Sequence, residues 1–338
     1  MGSPSPHSAL TAKTRAMYGR RLREADFTRL LACKHLGEVL AYLKTTPGWS
    51  PALIQLGPQD ASRGLFERTL RAHLLEEAAI LCRFEAHTGT PLSPLYRYEL
   101  QAILWALRHI QTPRQGDRPP LFIPDGFRHM SRLDFDTLTS ARRWRDIVQA
   151  AAATIYKKAL ENLPLSPDTG RPPYLTLDIA LLQAYYLTLC RGAKAADSTQ
   201  TMALLGTEAD FQNLTHILRL NRHFPHMLDS VEPFLIPVFY KLKPAFFAHL
   251  AKAPNHSRIM ALLDETVYGR LFRTPRFPRI EQCAAWHLEE LYRKQLLRGS
   301  PSPLIPAAYL HLRGRELNRL IQAIEEVFYR ERRGISWQ

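Results

Sequence analysis

A segment of the chain occurs three times, and this repetition constrains the fold more than any other feature of the sequence. Each copy places a phenylalanine 19 residues before a threonine, and the copies align without a gap over residues 27–46, 135–154 and 247–266. The threonines are 108 and then 112 residues apart, well beyond the period of about 20 to 50 residues that is typical of solenoids. We therefore expect each copy to belong to a small subdomain.

The apolar positions inside each copy predict helices. Relative to the threonine they fall at −3, −6, −7 and −16, which places them on one face at 3.6 residues per turn. Gly37 in the first copy and Pro254 in the third predict a break within the segment.

Two further runs recur after each copy. The first is a helix-like stretch over residues 65–83, 177–190 and 281–297. The second has the i, i+3, i+4 pattern of a half-buried helix and begins at Glu99, Asn213 and Glu316. Strand-like alternation is not sustained anywhere in the sequence, and the 25 prolines cluster in the connections. The sequence predicts an all-α fold of three pseudo-symmetric helical repeats that form a funnel-shaped body.

The alignment divides the chain into five segments. We expect a flexible N-terminal arm at residues 1–10 and a basic C-terminal tail at residues 330–338. Between them we expect helical repeats at residues 11–115, 116–228 and 229–329.

Composition narrows the class of protein. With 46% hydrophobic residues the chain can form a sizeable core, and its net charge of +14 attracts nucleic acid, anionic lipid surfaces or acidic partners. Four cysteines without a CxxC pair favour reduced thiols. The start lacks the apolar core of a signal peptide, and the most apolar window, residues 231–251, holds two lysines and three prolines. We expect no membrane-spanning helix.

Motifs for catalysis are missing from the sequence. It contains neither a GxSxG elbow nor the GxxxxGK[ST] or GxGxxG loops that bind phosphates. Three acidic pairs lie in helices rich in arginine and lysine, which predicts solvated faces with surface ion pairs. These pairs are Glu76/Glu77, Glu289/Glu290 and Glu325/Glu326. We expect no enzyme activity and no cofactor.

Three histidines raise the alternative of a metal-dependent hydrolase. His216 and His223 are nearly two helical turns apart, and Pro225 separates them from His226. A zinc site such as HExxH needs ligands on one face of a helix. The spacing therefore favours histidines without a metal.

Arginines cluster at four places in the chain. The clusters are Arg20/Arg21/Arg23, Arg142/Arg143/Arg145, residues 270–279, and Arg330/Arg332/Arg333. They recur once or twice per repeat without a nucleic-acid-binding motif, which favours a solvated rim or a face that meets an acidic partner or lipid headgroups. A basic all-α nucleic-acid-binding protein is the alternative.

Several motifs together resemble a known family. Residues 210–219 combine an Asp-x-x-Asn-Leu start with an Ile-Leu-Arg end, residues 154–156 and 266–268 share Thr-x-Tyr, and residues 234–237 read Phe-Leu-Ile-Pro. Over roughly residues 11–328, the chain resembles the C subunits of the prokaryotic V/A-type ATPases, which are similar to the d subunit of the eukaryotic vacuolar proton pump. The first copy departs from this pattern with Thr46-Pro47-Gly48-Trp49 where the others have Thr-x-Tyr, and Trp105 stands where Arg219 aligns.

The resemblance implies a non-catalytic rotor adaptor, peripheral to the membrane at its cytoplasmic face. Such a protein joins the central stalk to the membrane proteolipid ring and transmits torque for ATP-coupled H⁺ or Na⁺ transport. Its implied partners are the central-stalk subunits and the ring, with anionic lipid headgroups in addition and no nucleic acid. The candidate contact residues are Arg142, Arg143, Arg145, Arg219, Arg330, Arg332 and Arg333.

Overall fold

The computed structural model describes residues 6–86, 93–111, 121–196, 198–273, 279–298, 301–302 and 304–334. Every regular element in these ranges is a helix, which confirms the all-α prediction. The arrangement of three pseudo-symmetric repeats as a funnel stays a prediction.

Seventeen α-helices follow one another along the described residues. The first seven are α1 (Pro6–Gly19), α2 (Glu24–Ala32), α3 (Leu36–Lys44), α4 (Ser50–Leu53), α5 (Arg63–Ala86), α6 (Ser93–Gln111) and α7 (Asp125–Met130). The next five are α8 (Phe135–Ser140), α9 (Trp144–Ala150), α10 (Lys157–Glu161), α11 (Tyr174–Ala195) and α12 (Thr199–His223). The last five are α13 (Pro244–Ala251), α14 (His256–Asp264), α15 (Gly269–Phe272), α16 (Ile280–Leu297) and α17 (Leu304–Arg333). Short 3₁₀ turns lie at Pro58–Asp60, Pro225–Met227 and Glu232–Phe234.

Each copy of the repeated segment forms two short helices separated by a turn: α2 and α3, α8 and α9, and α13 and α14. In every copy a backbone N–H at the start of the second helix, or in the turn before it, donates a hydrogen bond to a side chain of that turn or helix. The bonds are Lys34 N–H to Glu38 (2.7 Å), Arg142 N–H to Asp146 (3.1 Å) and Arg258 N–H to Asn255 (2.9 Å). They satisfy amides that a helix start leaves unpaired, so the break predicted in the segment is stabilised locally.

The threonine that ends each copy makes the same contact three times. Its hydroxyl donates to the carbonyl three residues earlier: Thr46 to Leu43 (2.7 Å), Thr154 to Ala151 (2.8 Å) and Thr266 to Leu263 (2.7 Å). The bond satisfies a carbonyl at the end of the second helix. The gapless alignment therefore corresponds to a shared local structure.

The described chain divides into two compact units. The first comprises Met1–Pro94, Pro124–His129 and Tyr292–Gln338. Its main apolar cluster joins residues 22–70 of the N-terminal part, including the fully buried Trp49, to residues 317–327 of α17. The beginning and the end of the chain therefore share one core.

The second unit comprises Leu95–Ile123 and Met130–Leu291. One of its apolar clusters packs α12, from Phe211 to Leu220, against residues 228–284. Phe247 and Leu263, from the two helices of the third copy, are fully buried in this cluster. The apolar stripe of the repeated segment thus faces a helix that precedes it in the sequence.

Both ends of the described chain differ from the prediction. Helix α1 begins at Pro6 and buries Leu10, so the predicted flexible arm is helical from Pro6 onward. Helix α17 continues through Arg330 and Arg332, so these residues lie on a helix and not in a tail. The proposed boundaries at residues 115, 228 and 329 stay predictions.

Candidate functional site

A buried ion network lies in the first unit, where α17 packs against the segment before α4. Arg313 is 4% exposed. Its guanidinium donates from Nε to Glu77 (3.1 Å), from Nη1 to Glu316 (2.7 Å) and from Nη2 to the Gly48 carbonyl (2.5 Å). The same group lies 3.6 Å from the centroid of the Trp49 ring. A fixed guanidinium fork of this kind holds its partners in one geometry.

The carboxylates of this network are also held from other sides. The Tyr309 hydroxyl donates to Glu77 at 2.9 Å. Glu316 accepts from Trp49 Nε1 at 2.9 Å and from the Leu22 N–H at 3.1 Å. Burial raises the pKa of Glu316, while these donors and the neighbouring arginine act in the opposite direction. The network fastens the start of the chain to its last helix.

The predicted surface ion pairs are only partly present. Glu325 pairs with Arg63 at 2.5 Å, and both side chains are partly exposed. The prediction of a solvated face is wrong for Glu77, whose side chain is 13% exposed and bound to Arg313. The reason is that its partner lies 236 residues away in the sequence.

The network around Arg313 is the first of three polar junctions between a helix and a loop. The second junction centres on Glu99 of α6, in the second unit. Glu99 is 2% exposed and accepts a hydrogen bond from the Ser131 hydroxyl at 2.7 Å. Burial raises the pKa of Glu99 to about 7, against the lowering effect of Ser131. One turn earlier in α6, the Tyr96 carbonyl accepts from the hydroxyl of the fully buried Tyr156 at 2.6 Å.

A third junction is formed by Asp210 and Asn213 of α12. The buried Asp210 carboxylate accepts from the N–H groups of residues 240–242 at 2.7–3.1 Å and from the Tyr268 hydroxyl at 3.2 Å. Burial raises the pKa of Asp210, although all four donors lower it. The Asn213 side chain bonds both backbone groups of Ile236, at 2.7 Å and 3.0 Å.

The three junctions follow one order along the sequence. Each of the three helices binds a residue that shortly precedes one copy of the repeated segment. Glu99 binds Ser131 before the second copy, Asn213 binds Ile236 before the third, and Glu316 binds Leu22 before the first. The aromatic residue after each threonine, Tyr156, Tyr268 or Trp49, donates a hydrogen bond to the same helix. Trp49 thus makes in the first copy the kind of contact that Tyr156 and Tyr268 make in the other two. The hydrogen bonds of the three junctions attach loops to helices.

Arg313 was not singled out from the sequence, and Asp210 was noted only as the start of the motif at residues 210–219, without a buried role; a signal for that role exists in both cases. Each lies four residues before the aligned leucine of its helix, Leu214 or Leu317. A charged residue is therefore placed on the apolar face of an amphipathic helix, where it must find a buried partner.

The histidines named as alternative metal ligands occupy different environments. His216 is buried, its Nε2 lies 2.9 Å from the Gln212 amide nitrogen, and burial lowers its pKa to about 4. His223 and His226 are exposed at the end of α12 and in the following 3₁₀ turn. Among the described residues, His, Cys, Asp and Glu form no group of three or more that could hold a metal ion.

The candidate contact arginines lie in three places. Arg142 and Arg143 are exposed at the turn between α8 and α9, and Arg145 is exposed in the first turn of α9. The Asp146 carboxylate accepts from the backbone N–H groups of Arg142 and Arg143. Those bonds hold the pKa of Asp146 below its usual value.

The remaining candidates lie on long helices. Arg219 is exposed on α12. Arg330 donates to the Leu31 carbonyl at 2.7 Å, so it caps the end of α2, whereas Arg332 is exposed beside the Phe328 ring. The Arg333 side chain lies outside the described residues. The exposed members are accessible to a partner, and Arg330 is engaged within the chain.

Within the ranges that the structure describes, none of the helices is long and apolar enough to cross a bilayer.

Comparison with known proteins gives one family and two similar relatives. The family model described as ATP synthase (C/AC39) subunit matches residues 10–335. The C subunit of the A-type ATP synthase of Methanosphaera stadtmanae is 23% identical over 281 residues, which covers 79% of this chain and 67% of the relative. The protein of the same name from Methanothermobacter thermautotrophicus is 23% identical over 278 residues, with the same coverage. These matches confirm the resemblance carried by residues 154–156, 210–219 and 266–268.

Proposed function

Because the chain belongs to the ATP synthase (C/AC39) subunit family, we propose that it is the non-catalytic rotor adaptor of a V/A-type ATPase. In this role it joins the central stalk to the membrane proteolipid ring at the cytoplasmic face and transmits torque for ATP-coupled H⁺ or Na⁺ transport. The observation that carries the proposal is the family match over residues 10–335.

The buried junctions support a mechanical role. Moving one charge across the membrane is worth about 2.3 kcal/mol per 100 mV, and a rotor part bears loads of this order repeatedly. Breaking a buried ion pair costs about 3–5 kcal/mol, so the contacts of Arg313 with Glu77 and Glu316 resist such loads. Closely packed interiors also deform little under load.

The exposed arginines support contact with anionic surfaces. Each arginine near an anionic membrane contributes about 1 kcal/mol of attraction. Arg142, Arg143 and Arg145 lie at the turn before α9 and in its first residues, where Asp146 fixes the turn through backbone hydrogen bonds. We assign these three residues to lipid headgroups around the ring, and Arg219, Arg332 and Arg333 to protein partners.

Binding of the purified full chain to its partners tests the proposal. The chain is mixed at micromolar concentration and low salt with the central-stalk subunits, and separately with the detergent-solubilised proteolipid ring. We expect co-elution in size-exclusion chromatography with each, and a ternary assembly when both are present. A chain that elutes alone in both mixtures contradicts the rotor role.

Vesicle binding tests the turn between α8 and α9. Replacing Arg142, Arg143 and Arg145 by alanine removes about 3 kcal/mol of attraction, or up to about 100-fold in affinity for vesicles with anionic headgroups. The matched control removes three exposed charges elsewhere in the second unit, at Lys157, Lys158 and Arg191. Equal weakening by both variants would show that net charge, and not this turn, determines binding.

The nucleic-acid alternative makes a separate prediction. Such a protein binds polynucleotides with a log affinity that falls linearly with log salt. Weak retention that does not saturate counts against this alternative, whereas saturable binding without any association with stalk or ring would favour it.

A further inference from the structure

Three exposed arginines of the second unit influence one half-buried carboxylate electrostatically. Arg97 and Arg108 lie on α6, Arg219 lies on α12, and all three act electrostatically on Asp178 of α11. Burial raises the pKa of Asp178, and the arginines oppose this effect. Three guanidinium groups and one carboxylate leave a formal excess of positive charge, which favours a positive potential at this surface.

Two of the arginines are positioned by tyrosines of α11. Arg97 lies 5.5 Å from the centroid of the Tyr185 ring, and Arg108 lies 4.6 Å from that of Tyr174. Arg108 also donates to the Tyr174 hydroxyl. Stacking uses the face of a guanidinium and not the N–H donors in its plane. Some of these donors hold the arginines in place, since Arg108 bonds Tyr174 and Arg97 bonds Tyr186. Such arginines lose less entropy when they bind a partner.

A second carboxylate and a fourth cation belong to the same unit. Glu208 acts on the buried Tyr186, as Arg97 does. Arg171 donates to the Ile110 carbonyl, two residues after Arg108, and adds a further cation there.

Packing does not explain two of these arginines. When the three amphipathic runs that begin at Glu99, Asn213 and Glu316 are aligned, the apolar positions agree, and Arg108 aligns with Arg222, but Arg97 and Arg219 align with no cation. Arg219 aligns with Trp105 and Gln322, and Arg97 aligns with Phe211 and Gly314. The second unit therefore has a charged surface that the common helical pattern does not require.

We propose that Arg97, Arg108 and Arg219, grouped around Asp178, form a docking surface for an acidic segment of a protein partner. Arginine binds carboxylates through a planar two-point contact. Arg97 and Arg108 are 11 residues apart, which places them on one face of α6 about 16 Å apart. This separation matches carboxylates about three turns apart on a partner helix.

The carboxylate within the surface argues against phosphate as the natural ligand. A lipid or nucleic-acid phosphate group that approaches Arg219 also meets the negative charge of Asp178. A protein segment of mixed charge can place a cation or a hydrogen-bond donor there. The inference rests on the proposed function, which assigns Arg219 to protein partners, and deepens it by identifying the chemistry of the partner. It is tested on the isolated chain, so its failure is distinguishable from a failure to bind stalk or ring.

Binding of the purified full chain to poly-L-glutamate at physiological salt tests the inference. The variant is Arg219→Glu, and the control is Arg191→Glu, which makes the same change of charge at an exposed position of the same unit. Arg191 lies 13 residues after Asp178, about 140° away around α11, and donates to the Leu187 carbonyl of its own helix. We expect at least fivefold weaker binding for Arg219→Glu and less than twofold for the control.

Parallel titrations use a single-stranded oligothymidylate and vesicles with phosphatidylglycerol. For both probes we expect the two variants to behave alike. Equal affinities for poly-L-glutamate would overturn the inference, and so would a selective loss of oligothymidylate or vesicle binding in Arg219→Glu. Arg219→Gln tests whether misfolding explains the weaker binding of Arg219→Glu. It should retain the circular dichroism spectrum of the natural chain and bind poly-L-glutamate with an affinity between those of the natural chain and Arg219→Glu.

Discussion

Replacing Glu99 with glutamine should stabilise the protein at alkaline pH and leave it almost unchanged at acidic pH. Glu99 is 2% exposed on α6, and burial raises its pKa from 4.5 to about 7. Because the folded state holds the proton more tightly than the unfolded state, protonated Glu99 contributes stability that is fully present below about pH 4.5. That contribution is lost as the pH rises through 7.

The size of the effect follows from the shift in pKa. A difference of about 2.5 units at about 1.4 kcal/mol per unit amounts to roughly 3 kcal/mol between acidic and alkaline pH. Glutamine is nearly isosteric and can still accept the Ser131 hydrogen bond. The charged or titratable groups near Glu99 are Tyr96, Tyr156 and Arg132. The tyrosine pKa values are raised, so both rings stay neutral over this range.

Urea unfolding at about pH 5 and about pH 8.5, followed by far-UV circular dichroism, measures the difference in unfolding free energy between the two chains. We expect Glu99→Gln to be more stable by about 3 kcal/mol at the higher pH and by about 1 kcal/mol or less at the lower. Glu161→Gln is the matched control, because Glu161 is exposed and its replacement should have the same small effect at both pH values. A difference between Glu99→Gln and the natural chain that does not change with pH would refute the reasoning.

Three other substitutions test the remaining junctions. Arg313→Met should destabilise the first unit by about 3–5 kcal/mol in urea unfolding, since two buried glutamates lose their cation; a neutral effect would show that the glutamates accept protons at little cost. Asn213→Ala should cost about 2 kcal/mol, because two buried backbone groups lose their partner. A melting temperature within one degree of the natural chain would contradict this. Gly206→Ala should cost about 1–3 kcal/mol, since the new Cβ would lie 2.6 Å from the Cβ of Tyr240. Gly64→Ala, which meets nothing within 4 Å, is its control and should be neutral or stabilising.

Helix positions were predictable from the sequence because local patterns determine them. The run predicted at residues 177–190 lies within α11, and that at 281–297 coincides with α16 except for one residue. The amphipathic run that begins at Glu316 lies within α17. An apolar stripe at 3.6 residues per turn depends only on neighbours within one helix, so a single sequence reveals it.

The junctions were not predictable in the same way, because their partners are far apart in the chain. Arg313 and Glu77 are separated by 236 residues, and no local spacing indicates that they meet. Glu77 alone resembles any glutamate in an exposed helix. The surface around Asp178 was not predictable for the same reason, since its arginines lie on two other helices.

The different chemistry of the three junctions has a consequence for folding. A chain with three similar helix pairs could pair each of them with the wrong partner, since apolar stripes of similar length are nearly interchangeable. A wrong pairing would place Arg313 opposite the backbone amides that Asp210 normally binds, or leave the Glu99 carboxyl group facing the Ile236 carbonyl that Asn213 normally binds. Such arrangements bury charge without a partner and cost several kcal/mol each. The polar groups of each junction thus disfavour pairing with the segments of the other two. The three copies share an apolar face, and their charged and polar contacts determine which helix each one binds.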